Sequence, residues 1–164
     1  MTSAIIQPDA ETPGIRVRPL LLMASALLLG FIMDHVLALP VLIPRDESLL
    51  HKAIPAALLV LGAVVSGAGI RNFMRAGTPV PGNRATHQLV TTGIHAWSRN
   101  PIYVGMLLLY LGVGVAVRST WILAFTPLII GILRYAVVRQ EEAYLEGRFG
   151  DAYLDYKARV RRWL

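Results

Sequence analysis

Four long apolar segments constrain this chain more than any other feature of its sequence. They cover residues 20–39, 53–70, 101–117 and 121–138. At 1.5 Å per residue, a helix of about 20 residues crosses the ~30 Å hydrocarbon core of a bilayer. The whole chain is 55% hydrophobic and only 16% charged, which is unlike a soluble domain. We therefore predict a single all-α integral membrane domain with about four transmembrane helices.

The last two apolar segments are separated by only three residues, Arg118, Ser119 and Thr120. Such a short connection predicts a tight antiparallel helical hairpin. Both segments lie near the lower length limit for a span, which indicates tilt, local thinning of the bilayer or shielding by neighbouring helices. Pro127 removes a hydrogen bond inside the fourth segment and predicts a kink there.

Basic residues outside the apolar segments predict the orientation in the membrane. Twelve Lys and Arg residues fall on one side of the predicted spans, and three, Arg45, Lys52 and Arg118, fall on the other. By the positive-inside rule, both termini, the loop of residues 84–105 and the tail of residues 139–164 are cytoplasmic. The net charge of +6 is explained by these flanks. We predict no nucleic-acid partner, because the basic residues form no single long patch.

The tail is predicted to be amphipathic. Aromatic and apolar residues recur in it every three to four positions, while Gly147 and Gly150 argue against one continuous helix. Two helical pieces with an aromatic face toward the protein or the membrane interface fit this pattern, with the closing basic residues directed to anionic lipid. At the other end, residues 1–14 are expected to be loose or packed along the surface.

Small residues and one arginine stand out within the apolar segments. Gly62 and Ser66 lie one turn apart on one face of the second segment, which suits a close helix contact. Arg134 lies inside the fourth segment, about one turn from its cytoplasmic end. Because burial of a guanidinium is costly, it either extends toward the headgroups or faces a polar cavity. The chain has no cysteine and no His/Asp/Glu cluster with metal-ligand spacing, so we predict no metal site.

The loop before the third segment concentrates polar groups at the mouth of an apolar span. Asn100 is a strong N-cap and Pro101 suits a first helical turn, so the third helix should begin abruptly and direct free backbone N–H groups at the loop. Such a helix start can receive an anion, with Arg99 or His87 as an additional donor. The alternative is a plain helix start with Arg99 as a membrane anchor.

Glu141 and Glu142 directly follow the fourth apolar segment. Carboxylates are disfavoured at that place by the dipole of the preceding helix, so the pair should have a partner. Arg139, Arg148 or a bound ligand can fill that role. The alternative is a solvated helix end.

Three motifs in the loop and the tail have a recognisable order and spacing. They are His87-x-Leu89-Val90-Thr91-x-Gly93-Ile94, then Ser98-Arg99-Asn100-Pro101-x-Tyr103-x-Gly105, then Glu141-Glu142-x-x-Leu145-x-x-x-Phe149-Gly150-x-x-Tyr153-x-x-Tyr156. In these motifs the chain resembles the isoprenylcysteine carboxyl methyltransferase and phospholipid methyltransferase superfamily, membrane enzymes that use S-adenosylmethionine. Two positions depart from the pattern: His95 stands where the family often has tyrosine, and Asn100 where many members have histidine.

The resemblance implies a methyltransferase that binds S-adenosylmethionine at the cytoplasmic face and methylates a lipophilic or small apolar acceptor. The acceptor would be an isoprenylcysteine-type carboxylate, a lipid amine or a thiol. At least one glutamate would bind the ribose hydroxyls or the amino group of the cofactor. The implied cofactor-binding residues are His87, Leu89, Val90, Gly93, Ile94, Asn100, Pro101, Tyr103, Gly105, Glu141 and Glu142.

Catalytic roles are assigned to Arg99, Glu142 and Arg134. Methyl transfer depends mainly on in-line positioning of the acceptor and exclusion of water. A carboxylate acceptor would be oriented by Arg134 or Arg99, whereas an amine or thiol would lose its proton to His87, His95 or a glutamate. A lipophilic acceptor could reach this boundary site sideways between helices.

Two other functions are compatible with the sequence. Membrane reductases that use NADPH resemble the same C-terminal region, although they usually have more spans. A non-catalytic membrane scaffold or binding protein would also keep the fold. The sequence leaves the identity of the acceptor and the oligomeric state open.

Overall fold

The computed structural model describes residues 14–15, 17–37, 39–40, 49–80 and 85–164. The prediction for the N-terminal stretch concerns residues that lie almost entirely outside these ranges. Three of the basic residues counted for the orientation, Arg16, Arg45 and Arg84, also lie outside them.

Helices account for all the regular structure in the described ranges, which confirms the all-α class. The elements are α1 (Pro19–Val36), α2 (Leu49–Arg75), a 3₁₀ turn (Gly93–Ala96), α3 (Pro101–Ala116), α4 (Thr120–Ala124), α5 (Thr126–Ile132), a π-helix (Leu133–Val138), α6 (Arg139–Phe149) and α7 (Asp151–Arg159).

Three helical segments are long and apolar enough to cross a membrane, so the chain is a multi-pass membrane protein. They are Pro19–Val36, Lys52–Arg75 and the run Thr120–Phe149, which has 30 residues. The remaining predicted span corresponds to α3, which is apolar but has only 16 residues. At 1.5 Å per residue, α3 is about 24 Å long and shorter than the hydrocarbon core.

The last long helix differs from the sequence prediction at its end. The fourth span was expected to end at residue 138, but the chain passes from the π-helix directly into α6 and stays helical to Phe149. Near its beginning, the helix is interrupted at Phe125, and Pro127 lies in the first turn of α5, where its missing N–H costs least. This interruption lies where Pro127 predicted a kink.

Close packing of α2 against α3 explains several small residues. A Cβ atom added at Gly62 would lie 2.7 Å from the carbonyl oxygen of Gly105, and one added at Gly105 would lie 2.6 Å from the carbonyl oxygen of Gly62. Ser66 Oγ donates to the carbonyl oxygen of Ile102 at 3.3 Å. The predicted contact at Gly62 and Ser66 is therefore confirmed, with α3 as the partner.

The connection after α3 has three residues, as predicted, but it lies one position earlier, at residues 117–119. Ser119 Oγ accepts from the N–H of Ile122 at 3.0 Å and so caps α4. Tyr110 on α3 donates its hydroxyl to the carbonyl oxygen of Ile122 at 2.8 Å. Beyond the turn, the buried core between α1, α3 and the last helix is filled by Tyr103, Tyr110, Ile129, Leu133 and Val137.

The tail forms two helices, as its glycines predicted. Gly150 has a φ of +52°, a left-handed conformation that favours glycine, and it separates α6 from α7. Tyr153 and Tyr156 of α7 are buried against the protein, so the aromatic face of the tail turns inward.

Candidate functional site

A cavity lies where the loop before α3 meets α6 and α7. Its wall is mainly apolar and aromatic, and its polar side chains come from the loop, from the beginning of α3 and from α6. Eight predicted site residues line it: Leu89, Val90, Arg99, Asn100, Pro101, Tyr103, Glu141 and Glu142. The structure thus brings together residues that lie up to 53 positions apart in the chain.

Five predicted site residues do not line this cavity. The side chain of His87 is exposed, and its backbone N–H donates to Thr78 Oγ1 at 2.9 Å. Arg134 is exposed on the π-helix. Gly105 lies in the contact between α2 and α3 instead. Gly93 and Ile94 belong to the 3₁₀ turn.

Gly93 has a conformational reason to be glycine. Its φ is +59°, and an added Cβ would lie 2.5 Å from Asn72 Nδ2. The residue lines a second cleft together with Arg75, and the segment 88–90 lines both this cleft and the cavity.

Glu142 is held by two arginines. Its Oε1 lies 3.1 Å from Arg99 Nη2, while Arg162 donates from Nε to Oε1 at 2.9 Å and from Nη2 to Oε2 at 2.7 Å. The side chains of Glu142 and Arg99 are each only 8% exposed. The hydrogen bonds to Glu142 raise the pKa of Arg162 above its usual range. A buried carboxylate needs such compensation, so Glu142 mainly joins the loop to the tail.

Arg162 is a site residue that the sequence prediction missed. The basic end of the tail was assigned to anionic lipid, because nothing local distinguishes Arg162 from Arg159 or Arg161. The one available signal was the expectation that Glu141 and Glu142 have a partner. Among the described residues, Glu142 is paired with Arg99 and Arg162 and not with the predicted Arg139 or Arg148.

The tail also occupies polar groups at the beginning of α3. The N–H of Arg99 donates to the carbonyl oxygen of Arg161 at 2.9 Å, and Asn100 Nδ2 donates to the carbonyl oxygen of Arg162 at 2.9 Å. The predicted side-chain cap by Asn100 is wrong, since its side chain makes no cap hydrogen bond. The helix nevertheless begins at Pro101, as predicted.

Arg99 retains one unsatisfied donor. Its Nε is buried and has no hydrogen-bond partner among the described residues. A buried N–H without an acceptor costs about 1–3 kcal/mol. Because Arg99 lines the cavity, an oxygen atom of a bound anionic group is a suitable acceptor for it.

Glu141 has a different environment from Glu142. It accepts a 2.6 Å hydrogen bond from the hydroxyl of Tyr103, and both side chains are buried. The ion pairs among the described residues give Glu141 no cation, whereas Glu142 has two. The cavity therefore contains a carboxylate that has no compensating guanidinium or ammonium group among the described residues.

His95 also lines the cavity, although it was not among the implied cofactor-binding residues. It is only 2% exposed, its ring lies edge-on to Phe73 with the centroids 4.8 Å apart, and its Nδ1 lies 3.3 Å from Asn72 Nδ2. Burial lowers the pKa of His95 to about 4, so the imidazole is neutral at pH 7. Tyr156 donates its hydroxyl to the carbonyl oxygen of His95 at 2.7 Å and fixes the turn to α7.

Comparison with known proteins gives a family match that covers most of the residues around the cavity. Residues 50–152 match the family described as phospholipid methyltransferase. The protein-S-isoprenylcysteine O-methyltransferase of Mus musculus is 39% identical over 77 residues, which cover 46% of this chain and 26% of the mouse protein. The enzyme of that name from Schizosaccharomyces pombe is 35% identical over 74 residues, covering 45% of this chain and 31% of the yeast protein.

A bacterial relative is matched over its whole length. An uncharacterized protein of Haemophilus influenzae is 41% identical over 69 residues, which cover 38% of this chain and 100% of that protein. The matches to the mouse and yeast methyltransferases, in contrast, span only about a quarter to a third of those proteins.

Proposed function

This chain belongs to the phospholipid methyltransferase family, and we propose that it transfers a methyl group from S-adenosylmethionine to a lipophilic or small apolar acceptor at the membrane surface. The family uses S-adenosylmethionine. One observation supports the proposal most. The same mainly apolar cavity contains an unsatisfied donor on Arg99 and the carboxyl group of Glu141, which has no cationic partner among the described residues.

The residues of the cavity fit the charges of this cofactor. S-adenosylmethionine carries a carboxylate, an ammonium group and a sulfonium, and the sulfonium supplies an activated methyl group. Arg99 is suited to the carboxylate, and Glu141 to one of the two cationic groups. The apolar wall, with Leu89, Val90 and Pro101, is suited to the remaining surface of the cofactor.

The chain contributes binding, orientation and exclusion of water to the proposed reaction. The ion pairs of Glu142 hold the tail against the loop and so enclose the cavity from that side. Glu141, held by Tyr103, presents its carboxyl group beside the proposed cofactor. Displacement at a methyl group gains most from such positioning, because the leaving group is already activated.

We place the site at the cytoplasmic boundary of a four-helix membrane region in which α3 is the fourth, short span. The acceptor is proposed to be a carboxylate, because the mouse and yeast relatives are named as isoprenylcysteine O-methyltransferases. Lateral entry between helices suits a lipophilic acceptor.

The substitution Glu141→Gln tests the cofactor site through charge. Glutamine keeps an oxygen acceptor for Tyr103 but loses the negative charge. We expect the affinity for S-adenosylmethionine to fall about tenfold, a loss of ~1.4 kcal/mol. S-adenosylhomocysteine, which lacks the sulfonium charge, should lose less than threefold. Isothermal titration of the purified protein with both compounds measures the difference.

The control is Glu146→Gln, because Glu146 is half-exposed and pairs with Lys157 at 2.8 Å. It should leave both affinities unchanged. Equal losses for the two compounds in Glu141→Gln would assign Glu141 to the ammonium group, which both compounds carry, and unchanged affinity for both would remove its charge role. Binding of neither compound to the unmodified protein would favour a scaffold, and binding of NADPH alone would favour a reductase.

The acceptor is tested by supplying labelled S-adenosylmethionine with an S-prenylated cysteine, a phosphatidylethanolamine, a long-chain thiol or a short water-soluble thiol. We expect label to transfer to the prenylated cysteine. Transfer only to a water-soluble acceptor would contradict lateral entry.

A further inference from the structure

An exposed group of two arginines and one tyrosine lies outside the cavity. The Cζ atom of Arg134 lies 5.6 Å from the ring centroid of Tyr135, and the Cζ atom of Arg139 lies 5.8 Å from the same centroid. The tyrosine is 61% exposed. Neither guanidinium forms an ion pair within the described residues. We call these three residues the Arg-Tyr-Arg cluster.

The π-helix brings the two arginines together. A π-helix joins residues five apart through backbone hydrogen bonds, whereas an α-helix joins residues four apart. The N–H of Arg139 donates to the carbonyl oxygen of Arg134, which is such a five-residue step. The two side chains therefore lie one π-turn apart, with the ring of Tyr135 within reach of both.

The cluster lies near the end of the membrane-spanning part of its helix. α3 ends and the last helix begins at the same turn, and Arg134 follows Thr120 by 14 residues, which is about 21 Å at 1.5 Å per residue. This height is close to that of the beginning of α3. The same helix exposes Leu128 and Ile130 closer to the turn, at 60% and 39%. The two charges thus lie where an apolar exposed surface ends.

We propose that the Arg-Tyr-Arg cluster binds the phosphate group of an anionic phospholipid. Two guanidinium groups match phosphate oxygens in geometry and charge. The amphipathic ring of Tyr135 suits the headgroup level of a bilayer. The apolar surface at Leu128 and Ile130 gives the acyl chains a continuous contact, which free phosphate would not use. This site is separate from the proposed methyl-transfer cavity, since none of its three residues lines that cavity.

Native mass spectrometry of the full chain, released from nanodiscs of mixed phosphatidylglycerol and phosphatidylcholine, tests the proposal. The unmodified protein should retain phosphatidylglycerol in preference to phosphatidylcholine. The double variant Arg134→Gln/Arg139→Gln should reduce that preference about 30-fold, or about fivefold for each charge. The control is Arg148→Gln/Arg159→Gln, which removes the same charge from two exposed arginines of the tail and should keep the preference.

Equal losses in the control would overturn the proposal, because the effect would then come from net charge alone. Displacement of phosphatidylglycerol by millimolar inorganic phosphate would also overturn it, since the ligand would then be free phosphate. Tyr135→Leu provides a second variant that keeps both charges and is expected to weaken retention severalfold. Retention unchanged in both the double variant and Tyr135→Leu would exclude the cluster as the site.

Discussion

Neighbouring residues of the same type have different environments in this protein. Glu142 is compensated by Arg99 and Arg162, whereas Glu141 receives only the hydroxyl of Tyr103. The sequence predicted that the glutamate pair has a partner, but it did not distinguish the two. The difference comes from Arg99 in the loop and from Arg162, 20 residues further along the chain, which both reach Glu142. No local pattern predicts a contact of that kind.

His95 should make the stability of the protein depend on pH. The unfolded imidazole takes up a proton below its usual pKa of 6.5, whereas the buried imidazole takes one up only below about 4. The unfolded state therefore binds more protons in that interval, and stability falls as the pH drops from 6.5 to 4. Above pH 6.5 the contribution is constant.

Thermal unfolding of the detergent-solubilised protein at pH 7 and pH 5 measures this effect. The variant His95→Gln carries no titrating ring and should show a smaller decrease in melting temperature between the two pH values. Other groups also titrate in this range, so the difference between the two proteins isolates His95. Equal decreases would show that burial does not shift its pKa.

The helices were predicted better than the ways in which they end. Pro101 and Gly150 mark local backbone constraints, and both boundaries were found from the sequence. The continuation through residue 138 was missed, because a π-helix has no distinct periodic pattern in the sequence. The cap at Asn100 was wrong because its amide binds the returning tail, a long-range contact that overrides a local preference.

The contact between α2 and α3 predicts a large effect of one methyl group. Gly62→Ala places Cβ against backbone atoms of α3, including the carbonyl oxygen of Gly105 at 2.7 Å, so the helices must separate. We expect a loss of about 1–3 kcal/mol of stability. Gly67→Ala is the matched control on the same helix, because nothing lies within 4 Å of its added Cβ.

In Gly67→Ala the better helix propensity of alanine should preserve or raise the stability by up to ~1 kcal/mol. Denaturant titration followed by circular dichroism compares the two variants. Equal stability of both proteins would contradict the close approach of α2 and α3.

For the whole molecule, composition and segment length were sufficient to predict a multi-pass helical membrane protein. They were less informative about the number of spans, since α3 falls below the usual length while packing against α2. The sequence motifs identified eight residues that line one cavity. Four of the remaining five were chosen for their place in a motif, which does not determine the direction of a side chain, and Arg134 was chosen for its place in the fourth apolar segment.

The orientation of the protein can be measured directly, because the chain contains no cysteine. We expect Trp97→Cys and Ala152→Cys to react with a membrane-impermeant maleimide from the cytoplasmic side, and Val117→Cys to react only from the other side. All three positions are exposed. Labelling of inverted vesicles and of spheroplasts from an expressing bacterium gives the two sides. Reaction of positions 97 and 152 from opposite sides would contradict the predicted topology.

The hydrogen bonds between the loop and the tail also determine when the cavity can form during biosynthesis. The backbone N–H of Arg99 contacts Arg161, and the side chain of Asn100 contacts Arg162. The ribosome adds these two arginines about 60 residues later. Chains are made from the N-terminus, and the apolar helices can enter the membrane before these residues emerge. The cavity is therefore completed only after synthesis has passed the last helix, so a nascent chain that stalls before Arg161 would be inserted yet unable to close its site.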